Sequence, residues 1–314
     1  MSRGLLFIIL AMSSIGISIP IGGLMMEKFP VFLFTCMTIL IAGVILFITA
    51  TAYEKTNWIK LGGKNYLAIF IQALLTVTMY TVFQLYGLTY ASAVAVGIIT
   101  SITPAVVLIL AVFLLRERLN LNKITAIALA VVAVLIMEMA GVTPDGGSGG
   151  LGILFMILAV ISMALFFIFA KKFSVEVQLP PFTTATGLCF FGALQTLPMA
   201  IYEFQSFDTA ILADSATLWY ILFYALTSWL FAYSFTFLAL PRINASTAGM
   251  ATACIPIVAT VVAVAFFGAP IRIVDVIALI LVIASIVIAE RHGGAEEPPV
   301  DGTPAAPGAA TGAK

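Results

Sequence analysis

Two threonine–proline pairs carry the first chemical signal in this sequence. Thr100 precedes Pro104, and Thr252 precedes Pro256, each inside a long apolar run. A proline removes the amide that would bond the carbonyl four residues back, so each pair predicts an unpaired carbonyl beside a threonine hydroxyl. Together these groups could hydrogen-bond a small molecule in a cavity. The alternative is that both prolines only kink or pack their helices.

A stripe of polar side chains gives the second signal. Gln72, Thr76 and Tyr80 recur every four residues, and so do Tyr224 and Ser228, which places each set on one face of a predicted helix. Such a face either lines a cavity or hydrogen-bonds a neighbouring helix. We expect a cavity, whose wall also includes the following small or polar residues: Ser14, Gly97, Thr100, Ser162, Gly249 and Thr252.

The residue types needed for catalysis or metal binding do not come together in the sequence. Cys36, Cys189 and Cys254 lie apart in apolar runs, and His292 is the single histidine. A metal site needs several such ligands at suitable spacing, and a hydrolytic site needs a nucleophile with a base. We therefore predict that the protein is not an enzyme and has no metal or other cofactor.

The composition indicates which solvent surrounds the chain. Hydrophobic residues make up 62% of its 314 residues and charged residues only 9%, whereas a soluble domain is about 45–50% apolar and about 25% charged. This balance predicts an all-α membrane protein with the lipid bilayer as its partner. The formal net charge is +0 at pH 7, which gives no indication of a nucleic-acid partner.

Ten apolar runs are long enough to cross a bilayer as helices. They cover residues 4–25, 30–52, 65–87, 91–115, 122–141, 151–171, 180–202, 216–239, 245–268 and 272–290. Basic residues concentrate on the cytoplasmic side of membrane proteins. With both termini placed in the cytoplasm, only Lys28 and Arg272 of the 14 lysines and arginines fall outside. The sequence therefore predicts a multi-pass protein with cytoplasmic N- and C-termini.

The ten predicted spans divide into two copies of five. The order and spacing of Ala93, Gly97, Thr100 and Pro104 recur in Ala245, Gly249, Thr252 and Pro256. Because five is odd, the second copy must be inverted, and inverted repeats are typical of secondary transporters with a midplane site. We expect a first repeat at 1–143, a glycine-rich external linker at 144–150, a second repeat at 151–292 and a disordered cytoplasmic tail at 293–314.

Several short motifs carry a family resemblance over about residues 4–290. They are Tyr86-Gly87-Leu88-x-Tyr90, the alanine-rich 91–97, Pro104, Leu114-Leu115-x-Glu117-x-Leu119, the second small-residue run 245–249, and Pro256. On these motifs the chain resembles the drug/metabolite transporter superfamily, specifically its EamA-type ten-span exporters. It departs from the family pattern at Ile15-Gly16, where Trp-Gly is frequent, and at Ala269, where a glutamate is frequent.

The resemblance implies a bacterial inner-membrane exporter of small metabolites, often amino acids. It also implies a central cavity walled by the first, third, fourth, sixth, eighth and ninth spans, through which a small-molecule substrate passes by alternating access. An uncharged cavity suits a zwitterion or an amine better than a phosphate, which would require arginine or lysine. A multidrug or cationic-compound exporter and a passive channel-like facilitator remain alternatives, and a homodimer remains open.

Two carboxylates near predicted span ends have separate expected roles. Glu138 is the candidate for a titrating gate, because ionisable groups within a membrane often mark ion pathways; a carboxylate at the membrane interface is the alternative. Glu117, which lies between two arginines, is expected to cap the inner end of a helix.

The predicted orientation can be tested by side-selective labelling in a variant whose native cysteines are replaced. A cysteine at Gly147 should react with a membrane-impermeant maleimide added outside the cell, whereas one at Thr311 should react only after permeabilisation. The reverse result would contradict the orientation. Labelling of both positions from one side would contradict the even number of spans.

Overall fold

The computed structural model describes residues 2–90, 99–100, 102–117, 120–140, 150–177, 179–268 and 273–293. Within these ranges the chain is helical and contains no β-strand. This agrees with the predicted fold class, because a helix satisfies its own backbone hydrogen bonds inside a bilayer. Gly97, the linker residues 144–149 and the tail after 293 lie outside the described residues.

Within the described residues, the first half of the chain contains six α-helices. They are α1 (Arg3–Met26), α2 (Val31–Tyr53), α3 (Gly63–Ala73), α4 (Tyr80–Tyr90), α5 (Thr103–Leu115) and α6 (Leu121–Ala140). A π-helical segment, Leu74–Met79, joins α3 to α4 without a break, and a 3₁₀ turn, Trp58–Lys60, precedes α3.

The described helices of the second half follow the same order, with one more, Ala245–Ala251, that has no described counterpart. They are α7 (Gly150–Glu176), α8 (Pro181–Phe204), α9 (Ser215–Tyr224), α10 (Ala232–Ala239), α11 (Ala245–Ala251), α12 (Cys254–Phe267) and α13 (Ile273–Gly293). A second π segment, Ala225–Phe231, joins α9 to α10. The 3₁₀ turns Thr209–Ala213 and Leu240–Arg242 flank this long span.

In the part of the chain that is described, six helical segments are long and apolar enough to cross a membrane. They are Arg3–Met26, Val31–Tyr53, Gly63–Gln84, Gly150–Glu176, Pro181–Phe204 and Ser215–Arg242. Four shorter apolar helices lie within the remaining predicted spans: Thr103–Leu115, Leu121–Ala133, Ile257–Phe266 and Val276–Ile288. The molecule is thus a bundle of apolar helices, as the composition predicts.

The helices pack in pairs that recur between the two halves. Helix α1 packs against α10 and α12, and its counterpart α7 packs against α4 and α5. The pairs α2 with α8 and α6 with α13 each join matching helices of the two halves. Exchanging every helix for its counterpart therefore leaves this set of pairs unchanged.

The antiparallel pair of α2 and α8 is held at both ends by reciprocal carboxylates. Glu54, just after α2, accepts hydrogen bonds from the amides of Phe182 and Thr183 at 2.9 and 2.7 Å. Glu203, near the end of α8, accepts one from the amide of Leu33 at 2.8 Å. The first amides of a helix lack partners within the helix, and a negative charge there also interacts favourably with the helix dipole. Each helix therefore caps the other.

Two further contacts define which helix ends share a face of the bundle. At the start of α1, a Cβ atom on Gly4 would lie 2.6 Å from Ile243 and 2.8 Å from Arg242. Lys171, near the end of α7, donates to the carbonyl of Leu240 at 3.0 Å. We call this end of the bundle, which also includes Glu54, the N-terminal face. The start of α2 and the end of α8 lie at the opposite face.

An aspartate at the opposite face fixes the start of α9, which leads into the second π segment. Asp214 accepts hydrogen bonds from the Thr217 hydroxyl at 2.8 Å and from the Ala216 amide at 3.2 Å. These bonds, the one from Thr217 above all, hold the pKa of the Asp214 carboxyl below its ordinary value. Aspartate is a favoured N-cap residue for this reason.

The reciprocal capping predicts how stability responds to neutral substitutions. Glu54→Gln should lower the free energy of unfolding by about 1.5–3 kcal/mol, because hydrogen bonds to a charged acceptor are lost. Glu203→Gln should lower the free energy of unfolding by less, because the Glu203 carboxylate accepts one hydrogen bond in the described part of the chain. Thermal unfolding in detergent measures both. The matched control is Glu176→Gln, a 55% exposed carboxylate at 3.8 Å from Lys172, which should change stability by about 0–1 kcal/mol. An equal effect of Glu54→Gln and the control would contradict the capping role.

Candidate substrate site

The centre of the candidate site is formed by the two π segments. The first carries Thr76, and the second carries Ser228, near the middle of their long apolar spans. The two segments occupy matching places in the two halves of the sequence. A π turn uses about one residue more than an α turn, and such turns are frequent at functional sites. The structure therefore places the two predicted mid-span hydroxyls where the helices change their winding.

Thr76 meets side chains from two other helices. Its Oγ1 atom lies 3.4 Å from the hydroxyl oxygen of Tyr233 on α10 and 3.9 Å from the sulfur of Met163 on α7. Thr76 is almost fully buried, whereas Tyr233 is half-buried. The first π segment thus contacts helices of the other half of the chain at this point.

Trp229 forms the aromatic part of the site. Its ring stacks on Tyr233, with the ring centroids 5.7 Å apart and the planes inclined by 24°. Its indole N–H donates to Oγ1 of Thr38 on α2 at 3.0 Å. Phe237 continues the stack, with its centroid 6.3 Å from that of Tyr233. An aromatic stripe therefore runs from the second π segment along α10.

Two more tyrosines lie beside this stripe. Tyr80 and Tyr224 are close enough to each other and to Tyr233 to interact electrostatically. Tyr80 also interacts with Gln84, and Tyr224 with Ser228. Both rings are half-buried. The structure thus brings the predicted residues Thr76, Tyr80, Tyr224 and Ser228 into one region.

The site combines hydroxyl groups with aromatic faces and uses no charged side chain among the residues named above. Hydroxyls can accept or donate hydrogen bonds, and aromatic faces attract cations. The arrangement can hold a small polar or cationic molecule without a permanent counter-charge. It contains no nucleophile–base pair and, in the described residues, the chain has no cluster of potential metal ligands.

Tyr233, Trp229, Met163 and Thr38 are the residues that sequence reasoning missed. The period of four that runs through Tyr224 and Ser228 continues to Ala232 in the sequence, but the π segment adds a residue and shifts the face. The side chain that meets Thr76 is therefore Tyr233. The four-residue spacing of Trp229, Tyr233 and Phe237 is the signal in the sequence that could have identified this second stripe.

The threonine–proline pairs differ from the prediction. The Thr100 carbonyl accepts from the hydroxyl of Thr103 at 2.6 Å, and the Thr252 carbonyl accepts from the amide of Ile255 at 3.0 Å. The prediction of unpaired carbonyls is wrong, because the helix is interrupted at these points and each turn supplies its own donor. The two prolines lie within the first turn of a new helix: Pro104 is the second residue of α5 and Pro256 the third of α12.

The remaining predicted wall residues have different positions. The Thr252 hydroxyl donates to the Gly249 carbonyl at 2.7 Å. A Cβ atom on Gly249 would lie 2.6 Å from the side chain of Val107, so this glycine allows α11 to approach α5. Ser14 on α1 is half-buried and Ser162 on α7 is buried; these two helices pack against the second and first π segments, respectively. For Glu138 and Pro256, only the backbone position is described.

Glu117 joins the end of α5 to the start of α11. Its carboxylate accepts hydrogen bonds from the Ala245 amide, at 2.7 Å, and from the Ser246 hydroxyl. The ammonium of Lys123 lies 3.6 Å away. In the second half of the sequence the corresponding residue is Ala269, whose side chain has no acceptor. An alanine at this position cannot form a link of this kind.

Sequence comparisons extend over both halves of the chain. The profile of the EamA-like transporter family matches residues 2–139 and 150–290. The uncharacterized transporter YetK of Bacillus subtilis (strain 168) is 32% identical and aligns over 88% of this chain and 84% of its own. An uncharacterized transporter of Archaeoglobus fulgidus is 23% identical over 74% of this chain and 80% of its own.

A solved structure gives an independent comparison of the fold. It is a crystal structure of a protein that superposes with a TM-score of 0.73, covering 91% of this chain and 94% of that chain. The sequence identity is 15%, so the likeness concerns the fold alone.

The geometry around the π segments predicts distinct effects for removal and for enlargement of a hydroxyl side chain. Thr76→Val and Ser228→Ala should each weaken substrate binding roughly 2- to 12-fold, the loss of one neutral hydrogen bond. Thr76→Trp and Ser228→Trp should abolish flux, because the ring fills the site. Reconstituted vesicles measure affinity and initial flux, and detergent stability is the check on folding. Thr49→Val is the matched control, because the Thr49 hydroxyl bonds its own helix at Ile45. Normal flux in both tryptophan variants would exclude this site.

Proposed function

Because this chain belongs to the EamA-like transporter family, a membrane family of the drug/metabolite transporter type, we propose that it exports small metabolites of one class: amino acids or related zwitterions and amines. The observation that supports this substrate class is the uncharged site of hydroxyls and aromatic rings around Thr76, Trp229 and Tyr233. Export proceeds by alternating access through a central cavity between the two halves.

The proposed architecture has ten spans in two inverted repeats. Residues 1–143 form the first repeat, the external linker covers 144–150, and residues 151–292 form the second. Three recurring features support this arrangement: the exchangeable helix pairs, the two π segments and the reciprocal glutamates Glu54 and Glu203. Inverted repeats place the site where the copies meet and exchange their conformations during transport.

The proposed location is the bacterial inner membrane, with both termini and the N-terminal face towards the cytoplasm. Lys171 and Arg242 lie at this face, together with the start of α1. An excess of basic residues on the cytoplasmic side of a membrane protein supports the orientation. The tail 293–314 is then cytoplasmic, and a homodimer is compatible with the arrangement.

The proposed mechanism distinguishes contacts that recur in both halves from contacts made at one face. The α2–α8 pair is capped at both ends and is the fixed part of the bundle. The contact between α5 and α11, joined by Glu117, closes the N-terminal face and must open when substrate enters from that side. Thr76 and Ser228, on opposite halves, meet the substrate from either side. Glu138 is the proposed titrating group for coupling, by its position near a span end.

Two other functions would use the same cavity. A multidrug exporter of cationic compounds is favoured by the aromatic rings, since cations interact with ring faces. A passive channel-like facilitator would share the helices but would need no closing contact such as that of Glu117. Counterflow distinguishes a carrier from a channel, because only a carrier exchanges labelled for unlabelled substrate.

The proposed function predicts saturable counterflow in proteoliposomes. Purified protein is reconstituted in vesicles loaded with an excess of one unlabelled amino acid, amine or nucleobase, and uptake of the same labelled compound is followed. Transient accumulation above equilibrium is expected for at least one zwitterion or amine, and none for the Thr76→Trp variant. Linear, non-saturating flux would favour the channel. Counterflow restricted to large organic cations would favour the multidrug exporter, and no flux of any compound would contradict the proposal.

A further inference from the structure

A cavity opens at the N-terminal face, one helical turn from Thr76. It lies between α3, α7, the start of α8 and the end of α10, and offers about 20 Å³ to the centre of a water-sized group, which is room for a water molecule or an ammonium group. Its wall is largely apolar and includes Gln72, Phe173, Ser174, Val177, Phe237 and Pro241. We call it the Gln72 pocket.

Gln72, which lines this pocket, has an unsatisfied side-chain acceptor. Its side chain is only 2% exposed, and its Nε2 donates to the Ala68 carbonyl at 3.1 Å. The other side-chain atom, Oε1, has no hydrogen-bond partner in the described part of the chain. Buried polar atoms are nearly always paired, so an unpaired one points to a partner that is bound only at times.

The matching corner of the other half is filled. There, at the opposite face, Tyr224 occupies the position that corresponds to Gln72. Its ring lies 4.8 Å from that of Phe34, which in turn is 5.7 Å from Phe29. Phe29 and Phe34 form one buried cluster with Ile21, Met25 and Ile221, and the half-buried Tyr224 packs against it. The pocket is thus not a general consequence of the fold: glutamine replaces a packed aromatic ring at one face only.

Two parallel rows of side chains connect the pocket to the central site. On the first long span, Gln72 lies one turn from Thr76. On α10, Phe237 lies one turn from Tyr233 and stacks on it. Thr76 and Tyr233 meet at the centre, and Gln72 and Phe237 both line the pocket. A molecule held at Gln72 is therefore about 5.4 Å, one helical pitch, from the central site.

The chemistry of the wall selects the group that binds. Oε1 of Gln72 accepts hydrogen bonds only, and the Ser174 hydroxyl, which donates to the Lys171 carbonyl at 2.7 Å, has acceptor capacity left. Two neutral acceptors in an apolar wall suit an N–H donor such as an ammonium group. The ammonium of Lys171 bonds the carbonyl of Leu240, the residue before the pocket residue Pro241.

We propose that the Gln72 pocket is a loading subsite that binds the ammonium group of a zwitterionic substrate from the N-terminal face before it moves to Thr76. This inference rests on the proposed function and adds to it a first binding position on one face. It assigns Gln72 as the acceptor of the ammonium group, and Phe173 and Phe237 as the apolar wall.

The first experiment tests whether the pocket is open, independently of transport. In a variant with the native cysteines replaced, Gln72→Cys is treated in detergent solution, where the reagent reaches both faces, with 2-aminoethyl methanethiosulfonate, a small cationic thiol reagent. We expect modification at least about tenfold faster than that of Tyr224→Cys in the filled corner. Adding Val177→Phe, which fills the pocket, should slow it by a similar factor. Equal rates at the two cysteines, or a rate unaffected by Val177→Phe, would overturn the proposal.

The second experiment tests the acceptor. Gln72→Met keeps the length of the side chain and removes Oε1. With the labelled amino acid that gives counterflow in the unmodified protein, KM at the N-terminal face should rise about tenfold or more, the usual effect of losing a hydrogen bond to a charged group. KM at the opposite face should stay unchanged. If KM is unchanged at both faces, the pocket holds only water and the subsite is excluded. Absence of counterflow in the unmodified protein would instead contradict the proposed function, while the labelling result would still stand.

Discussion

The structure depends on one constraint: within a bilayer, each backbone amide and carbonyl must find its partner inside the protein. Continuous helices meet this demand along most of the chain, and polar side chains gather where the helices do not. The amides that begin α8 bond Glu54, and the amide that begins α11 bonds Glu117. At the break before α5, the Thr103 hydroxyl bonds the Thr100 carbonyl. Each of these polar residues therefore marks a point where a helix begins or is interrupted.

The change of winding in the two π segments is what produces the candidate site. Each π segment rotates the following side chains relative to the preceding ones, by about the 100° that one residue occupies in an α-helix. On the second long span this brings Tyr233 to Thr76 and directs Trp229 to Thr38 on α2. The first π segment is likewise linked to α8, because the hydroxyl of Thr78 in this segment donates a hydrogen bond to the side chain of Gln195 on α8 at 2.6 Å. Each segment is thus anchored to one helix of the doubly capped α2–α8 pair.

The sequence predicted the helical class, the long apolar segments and the mid-span positions of Thr76 and Ser228, because all three follow from composition and a period near four. It did not predict the π segments, since their residues have no distinctive composition, and so it placed the stripe after Ser228 on Ala232 instead of Tyr233. The unpaired carbonyls at Pro104 and Pro256 were expected because a continuous helix was assumed. The reciprocal bonds of Glu54 and Glu203 join residues far apart in the chain, and only the packing of α2 on α8 brings them together.

The described helices of the two halves follow the same order. The differences that can distinguish the two faces therefore lie in the side chains. Each half supplies one of the glutamates that cap the α2–α8 pair, Glu54 in the first half and Glu203 in the second. The pair is therefore fixed at both faces. Glu117 and Gln72 occur in one half, where the other has Ala269 and Tyr224. In the proposed alternating-access cycle, perfectly matched halves would give inward- and outward-facing states of equal free energy. An acceptor that links α5 to α11 and a pocket that opens at one face both break that equality. Direction in such a transporter can thus be set by a few polar substitutions on a symmetric frame, without any change in the helices themselves.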